Sequence, residues 1–205
     1  AAPAPARLGT LHQTLLVQDT AAADSLASRP KPSEMNLKLL PAAATAALLA
    51  APATALDNGV ALTHSTSEGI SIAAWSLNWA EGDEVVISNQ EHPANVVPWY
   101  VLRDRFGIAI REINLDAGTS LLDEVRDALS PRSRMVSISH VSRNNGRRVR
   151  TDESAALGEL LRSRGIVYHL DGAQGPGCVD VHFDELGCDC YSTCGHKWLL
   201  GPKGT

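Results

Sequence analysis

The sequence predicts an α/β fold: a mostly parallel sheet with helices on both faces. Three observations carry this. From about residue 40, short β-branched runs alternate with helical stretches. Runs such as 84–88 and 134–140 are apolar enough to be buried strands. The residues with distinctive chemistry fall just after predicted strands, where open α/β sheets bind ligands. At 205 residues, 44% apolar and 20% charged, the chain can build one ordinary domain with a real core.

Taken in order, residues 60–63 form the first expected strand, and residues 67–79 a helix with Ile70, Ala73, Ala74 and Leu77 on one face. A strand at 84–88 leads to a helix at 93–106 with proline in its first turn. Next come a strand at 108–113 and a helix over 120–129 capped by Thr119 or Ser120. The buried strand 134–140 precedes a helix over 151–164, with Thr151 as N-cap and Gly165 just past its end. Strands at 166–170 and 189–193 complete the series. Residues 1–41, rich in Ala, Pro and Ser early on, read as a flexible or poorly anchored segment, and 42–205 as the folded domain.

Residues 35–55 imitate a secretion signal, ending in the small residues Ala53-Thr54-Ala55, but the run starts well inside the chain and is mostly alanine. Residues 42–51 are therefore expected to be helical, and the protein cytoplasmic, with no stretch convincing as a membrane span. A net charge of -5 argues against nucleic acid as a partner. The basic group Arg143, Arg147, Arg148 and Arg150 reads first as a solvated turn and second as an anion site. Cys178, Cys188, Cys190 and Cys194 lack the paired C-x-x-C spacing of a zinc site, so buried free thiols and no metal are expected.

Asp171 follows an apolar strand in Leu170-Asp171-Gly172-Ala173-Gln174. It can cap the next turn, or face a bound heterocycle and keep a pyridine nitrogen protonated; Gln174 can reach the same space. Lysine occurs only at 31, 38, 197 and 203. Lys197, in Gly195-His196-Lys197-Trp198, can form an imine with a carbonyl if partly desolvated. Thr66 and Ser67 open a helix, which suits either an ordinary cap or a phosphate. His92 sits in a strand-to-helix loop, where it can be structural or stack on a ring. The order Thr66, His92, Asp171, Gln174, Lys197 is more telling than any member alone.

These segments resemble the class V aminotransferase family, which includes cysteine desulfurases, selenocysteine lyases and isopenicillin N epimerase. The resemblance is carried by Ser65-Thr66-Ser67-Glu68-Gly69, by Gln90-Glu91-His92-Pro93-Ala94-Asn95 with Val97-Pro98-Trp99, and by Ser139-His140-Val141-Ser142. Its most specific part runs from Asp171-Gly172-Ala173-Gln174 through Gly195-His196-Lys197 to Gly201-Pro202-Lys203-Gly204. It implies pyridoxal 5'-phosphate (PLP) as cofactor, the large domain of PLP fold type I, an amino-acid substrate and a homodimer.

By that resemblance Lys197 would hold PLP as a Schiff base and later move the α-proton, Asp171 would pair with the pyridinium nitrogen, and His92 would stack on the ring. Gln174 would contact the phenolic oxygen, while Thr66 and His196 would bind phosphate, a group that the Ser67 hydroxyl at the same helix start also suits. Arg143 stands where desulfurases commonly have Asn, and Cys194 where the family has a phosphate-binding Ser. The family continues past the loop in which Thr205 lies, so the expected domain lacks its C-terminal part. A desulfurase or selenocysteine lyase is the reading these features favour; a PLP-dependent epimerase or aminotransferase, or a truncated and catalytically silent relative, are the alternatives.

Overall fold

A computed structural model describes residues 14–18, 59–116 and 118–202. Its strands are β1 (Thr14–Gln18), β2 (Val60–Thr63), β3 (Glu84–Ser88), β4 (Ala109–Ile113), β5 (Ser133–Ser139), β6 (Val167–Asp171) and β7 (Cys190–Ser192). The helices are α1 (Thr66–Trp75), α2 (Val97–Phe106), α3 (Leu121–Ala128), α4 (Thr151–Ser163) and the short α5 (Phe183–Leu186). The strands form one sheet in the order β2-β1-β7-β6-β5-β3-β4, and every neighbouring pair is parallel. The α/β class read from the sequence is the observed one.

Alternation along the central strands splits the core in two. Val85, Ile87 and Met135 pack with Ala74, Trp99 and Leu102, on the side of α1 and α2. Val86, Val136, Ile138, Tyr168 and Leu170 pack with Leu121, Val125, Leu157, Leu161 and Leu186, on the side of α3, α4 and α5. Helices thus cover both faces, and full burial of a side chain such as Leu102 or Leu161 contributes on the order of 1.5–3 kcal/mol.

Several boundaries differ from the sequence reading for identifiable reasons. The helix expected over 93–106 is two pieces: a 3₁₀ turn at Pro93–Asn95, then α2 from Val97. A continuous helix would carry Pro98 in its interior, where proline has no N–H to donate; restarting at Val97 places Pro98 in the first turn. Thr151 is the first residue of α4 rather than its cap, and Arg150 takes the cap position without a side-chain bond. Ser120, not Thr119, caps α3 by accepting the N–H of Asp123 at 3.3 Å. The helix after β2 ends at Trp75, short of Trp79.

Thr14–Gln18 lies within the lead expected to be poorly anchored, yet it is a strand between β2 and β7. Thr14-Leu15-Leu16-Val17-Gln18 is a brief apolar run among Ala, Pro and polar residues, just long enough to pair. The helix expected at 42–51 and the domain boundary near residue 42 lie outside the described residues. No helix among the described residues is long and apolar enough to cross a membrane.

Candidate active site at the carboxyl ends of the strands

On the α1–α2 side, the sheet changes character along its strands. Met135 gives way to Ser137 and Ser139 on β5, and Val167 to His169 and Asp171 on β6. Ser137 is in register with His169, and Asp171 with both Ser139 and Ser192, so these polar groups share one face. A cavity opens at that end, lined by His92, Ser139, Val141, Arg143, Asp171, Ala173, Gln174 and Lys197. It gathers five residues singled out from the sequence: His92, Arg143, Asp171, Gln174 and Lys197.

Asp171 ends β6 and is 4% exposed. Burial pushes its carboxyl up to about 6; the Ala173 N–H, donated at 2.9 Å, opposes this, the Glu91 charge adds to it, and Lys197 pulls back. The turn after Asp171 presses onto β7: the Gly172 N–H reaches the Ser192 carbonyl at 2.7 Å, and the Thr193 hydroxyl donates to the Gly172 carbonyl at 3.0 Å. Glycine is required there, because a Cβ on Gly172 would sit 2.0 Å from the Tyr191 ring and one on Gly175 2.1 Å from its hydroxyl. Gln174 receives the Trp198 indole N–H on Oε1 at 2.7 Å, which leaves its NH2 as the donor for a ligand.

His92 accepts the Ala94 N–H on Nδ1 at 3.0 Å, so the neutral ring carries its proton on Nε2. Burial first, then the positive charges of Arg143 and Lys197, lower its pKa. Arg143 projects from a tight hairpin closed by Ser142 N–H to Arg147 O and Val149 N–H to His140 O, both 2.8 Å. Arg147, by contrast, ties that hairpin to the carbonyls of Leu115, Asp116 and Thr119. The basic group read as one turn therefore divides its work. Half-buried Lys197 sits in a loop closed by the Gly201 N–H on the Gly195 carbonyl at 2.8 Å.

Thr66, Ser67, Cys194 and His196 do not line the cavity. Ser67 and His196 are exposed and Cys194 is buried. Thr66 begins α1, and its buried Oγ1 has no hydrogen-bond partner among the described residues. An unmet buried hydroxyl at a helix N-terminus is costly unless a ligand oxygen meets it, so the site fits an anionic group there. Sequence reasoning assigned no part to Ser139, Val141 or Ala173, although Ser139 alternates with Ser137 in the polar half of β5.

A family model described as Aminotransferase class-V matches residues 43–205. The chain belongs to the class V aminotransferase family. A cysteine desulfurase of Klebsiella pneumoniae is 40% identical over 149 residues, which is 71% of this chain and 36% of that protein. Among solved structures, the cystine C-S lyase C-DES in complex with cysteine persulfide matches with a TM-score of 0.65 at 30% identity, over 69% of this chain and 38% of that one. A C-DES variant with glycine covalently linked to its PLP cofactor gives 0.64. The cysteine desulfurase CsdA of Escherichia coli gives 0.63 at 30% identity, over 69% and 36%. The chain thus spans well under half the length of these class V relatives. Its four cysteines are free, and burial pushes the thiols of Cys188 and Cys190 up to about 12, which keeps them protonated and poor nucleophiles at neutral pH.

Proposed function

We propose that this chain binds PLP, holds it covalently through Lys197, and forms part of an enzyme acting on an amino acid, most like a cysteine desulfurase or selenocysteine lyase. The observation that carries this reading is the convergence of His92, Arg143, Asp171, Gln174 and Lys197 on one cavity at the strand ends. PLP, when bound, supplies an electron sink for the bonds at the substrate's α-carbon.

The chain's own residues would each have a task. Asp171 would place its carboxylate beside the ring nitrogen. Ionisation is opposed by burial when Asp171 is alone and is favoured once a cation stands next to it. The His92 ring, fixed by its Ala94 bond, would cover one face of the cofactor, and the Gln174 NH2 would donate to the ring oxygen. Thr66 Oγ1, with Ser67, Cys194 and His196, would serve the phosphate end. Lys197 Nζ would take the α-proton, and the Arg143 guanidinium would bind a substrate carboxylate.

A second reading, an epimerase or aminotransferase with the same machinery, draws support from the cavity lining, which contains Arg143 and none of the four cysteines. The homodimer belongs to the same proposal, with exposed Val97, Tyr100 and Val101 on α2 as apolar surface for a second copy.

Reduction with borohydride after incubation with PLP, followed by peptide mapping, tests the site. Label on Lys197 is expected, and Lys197→Ala should abolish the visible absorption band. Label on Lys31, Lys38 or Lys203, or no label at all, overturns the assignment. Sulfide released from cysteine supports the desulfurase reading; α-proton exchange without sulfide supports the second; the absence of both activities favours a silent relative.

A further inference from the structure

Beneath the cavity runs a continuous buried chain of polar groups that the proposed chemistry does not use. Ser192 Oγ lies 2.9 Å from His169 Nε2, and His169 Nδ1 lies 2.8 Å from Ser137 Oγ. The Ser137 hydroxyl donates to Asn95 Oδ1 at 2.7 Å, and Asn95 Nδ2 donates to Glu91 Oε2 at 2.7 Å. Glu91 also accepts the Ser139 hydroxyl at 2.7 Å, the Ser139 N–H at 3.0 Å and the Ser88 hydroxyl. Ser137, His169, Asn95 and Ser192 are fully buried, and Glu91 is buried too.

Proton counting gives this chain a direction. A hydroxyl has one proton, and Ser137 spends its own on Asn95, so it must accept from His169. His169 therefore carries its proton on Nδ1, and its bare Nε2 accepts from Ser192. Burial drives the His169 pKa down to about 3, which keeps the ring neutral. Every bond then points toward Glu91, whose two oxygens receive four donors, matching the four acceptor positions of a carboxylate.

The members of the chain come from the same segments that deliver the cavity residues. Ser192 precedes the Lys197 loop on β7, and His169 precedes Asp171 on β6. Ser137 precedes Ser139 on β5, while Asn95 and Glu91 bracket the turn that presents His92. We propose that Glu91 is a positioning residue: as the terminal acceptor of a one-way hydrogen-bond chain, it locks the His92 turn and Ser139 to the floor that carries Asp171 and the Lys197 loop. The part of this that concerns cofactor geometry rests on the PLP reading; the direction of the chain does not.

Two readouts need no cofactor. Nitrogen-15 NMR of the imidazoles should show His169 as the Nδ1–H tautomer; the opposite tautomer, or a charged ring at neutral pH, overturns the chain. Ser137→Ala removes the central link without changing charge. It should leave His169 without a fixed tautomer and let the His92 midpoint rise toward the ordinary value of about 6.5. If both stay at their wild-type values, the positioning role fails.

With PLP added, Glu91→Gln should weaken binding about tenfold, the loss of a charge-assisted contact, and reduce the visible circular dichroism of the bound cofactor. Ser154→Ala supplies the comparison, because it deletes a hydroxyl equally buried on the other side of the sheet, where it meets Tyr168 and Leu186. Equal changes in both variants would reduce Glu91 to ordinary stability, and no change in Glu91→Gln would overturn the proposal. Should Glu91→Gln not fold, Ser137→Ala carries the same dichroism test. Should the wild type bind no PLP, the proposed function falls, while the two imidazole readouts still decide for or against Glu91.

Discussion

Asp171 is held in a state that folding alone would not choose. Its carboxyl is nearly fully buried, one backbone N–H is its hydrogen-bond partner among the described residues, and burial raises its pKa from 3.8 to about 6. A raised carboxyl pKa means that the native state keeps a proton the unfolded chain has released, so stability falls as pH rises from 3.8 through 6. Asp171→Asn removes that dependence while keeping the shape. In the absence of cofactor, the variant should match wild type near pH 4 and exceed it by about 3 kcal/mol above pH 6. Urea denaturation at pH 4.5, 6 and 8 measures the gap; a gap that does not widen with pH would contradict this account. A cation bound beside Asp171 should shrink it, since the charge that penalises the free chain is then neutralised.

At the scale of elements, α4 meets the loop after α5 through two glycines. Gly158 lies inside α4, and a Cβ there would stand 2.3 Å from the Gly187 carbonyl oxygen. Alanine is the better helix former by roughly 1 kcal/mol, yet the clash is with backbone that cannot rotate away. Gly158→Ala should therefore destabilise the chain, by about 1–3 kcal/mol, in denaturant melts; a stabilised variant would mean that α5 can shift aside. Contacts of this kind also mark the limit of sequence reading. The described strands other than β1, and most helices, were legible because periodicity is local, and Asp171, His92 and Lys197 because strand ends in such sheets face one way. The break before α2 was readable in principle from Pro98. The pairing of Gly158 with Gly187 was not, nor was the Glu91–Ser139 link across 48 positions. Such pairs are set by which strands become neighbours, and no local pattern encodes that.

Across the whole molecule, the two ends of the sheet treat buried charge in opposite ways. At the amino end of β3, Glu84 is fully buried but bonded to Arg111 at 2.9 Å, Arg132 at 3.2 Å and the Ser130 hydroxyl. The Arg111 guanidinium foremost, against the cost of burial and helped by Ser130 and Arg132, lowers its pKa from 4.5 to about 2. At the carboxyl end, Asp171 has no such partner bonded to it among the described residues, and its pKa moves the other way. Glu84 is satisfied and closes its end of the structure; Asp171 is left wanting a ligand. The signs can be tested together. A depressed carboxyl pKa contributes stability that is complete above about 4.5 and is lost as pH falls toward 2. Glu84→Gln should thus be less stable than wild type at pH 7, because two guanidinium groups lose their anion, and the deficit should close as pH falls below 4.5. Buried His140 and His169, held neutral with pKa values of about 4 and 3, add an acid-side slope common to wild type and variant, which cancels in the difference. Plotted against pH, the Glu84→Gln difference should be negative and vanish on the acid side, and the Asp171→Asn difference should be positive and vanish there too. Differences of the same sign at neutral pH would remove the distinction between the two ends of the sheet.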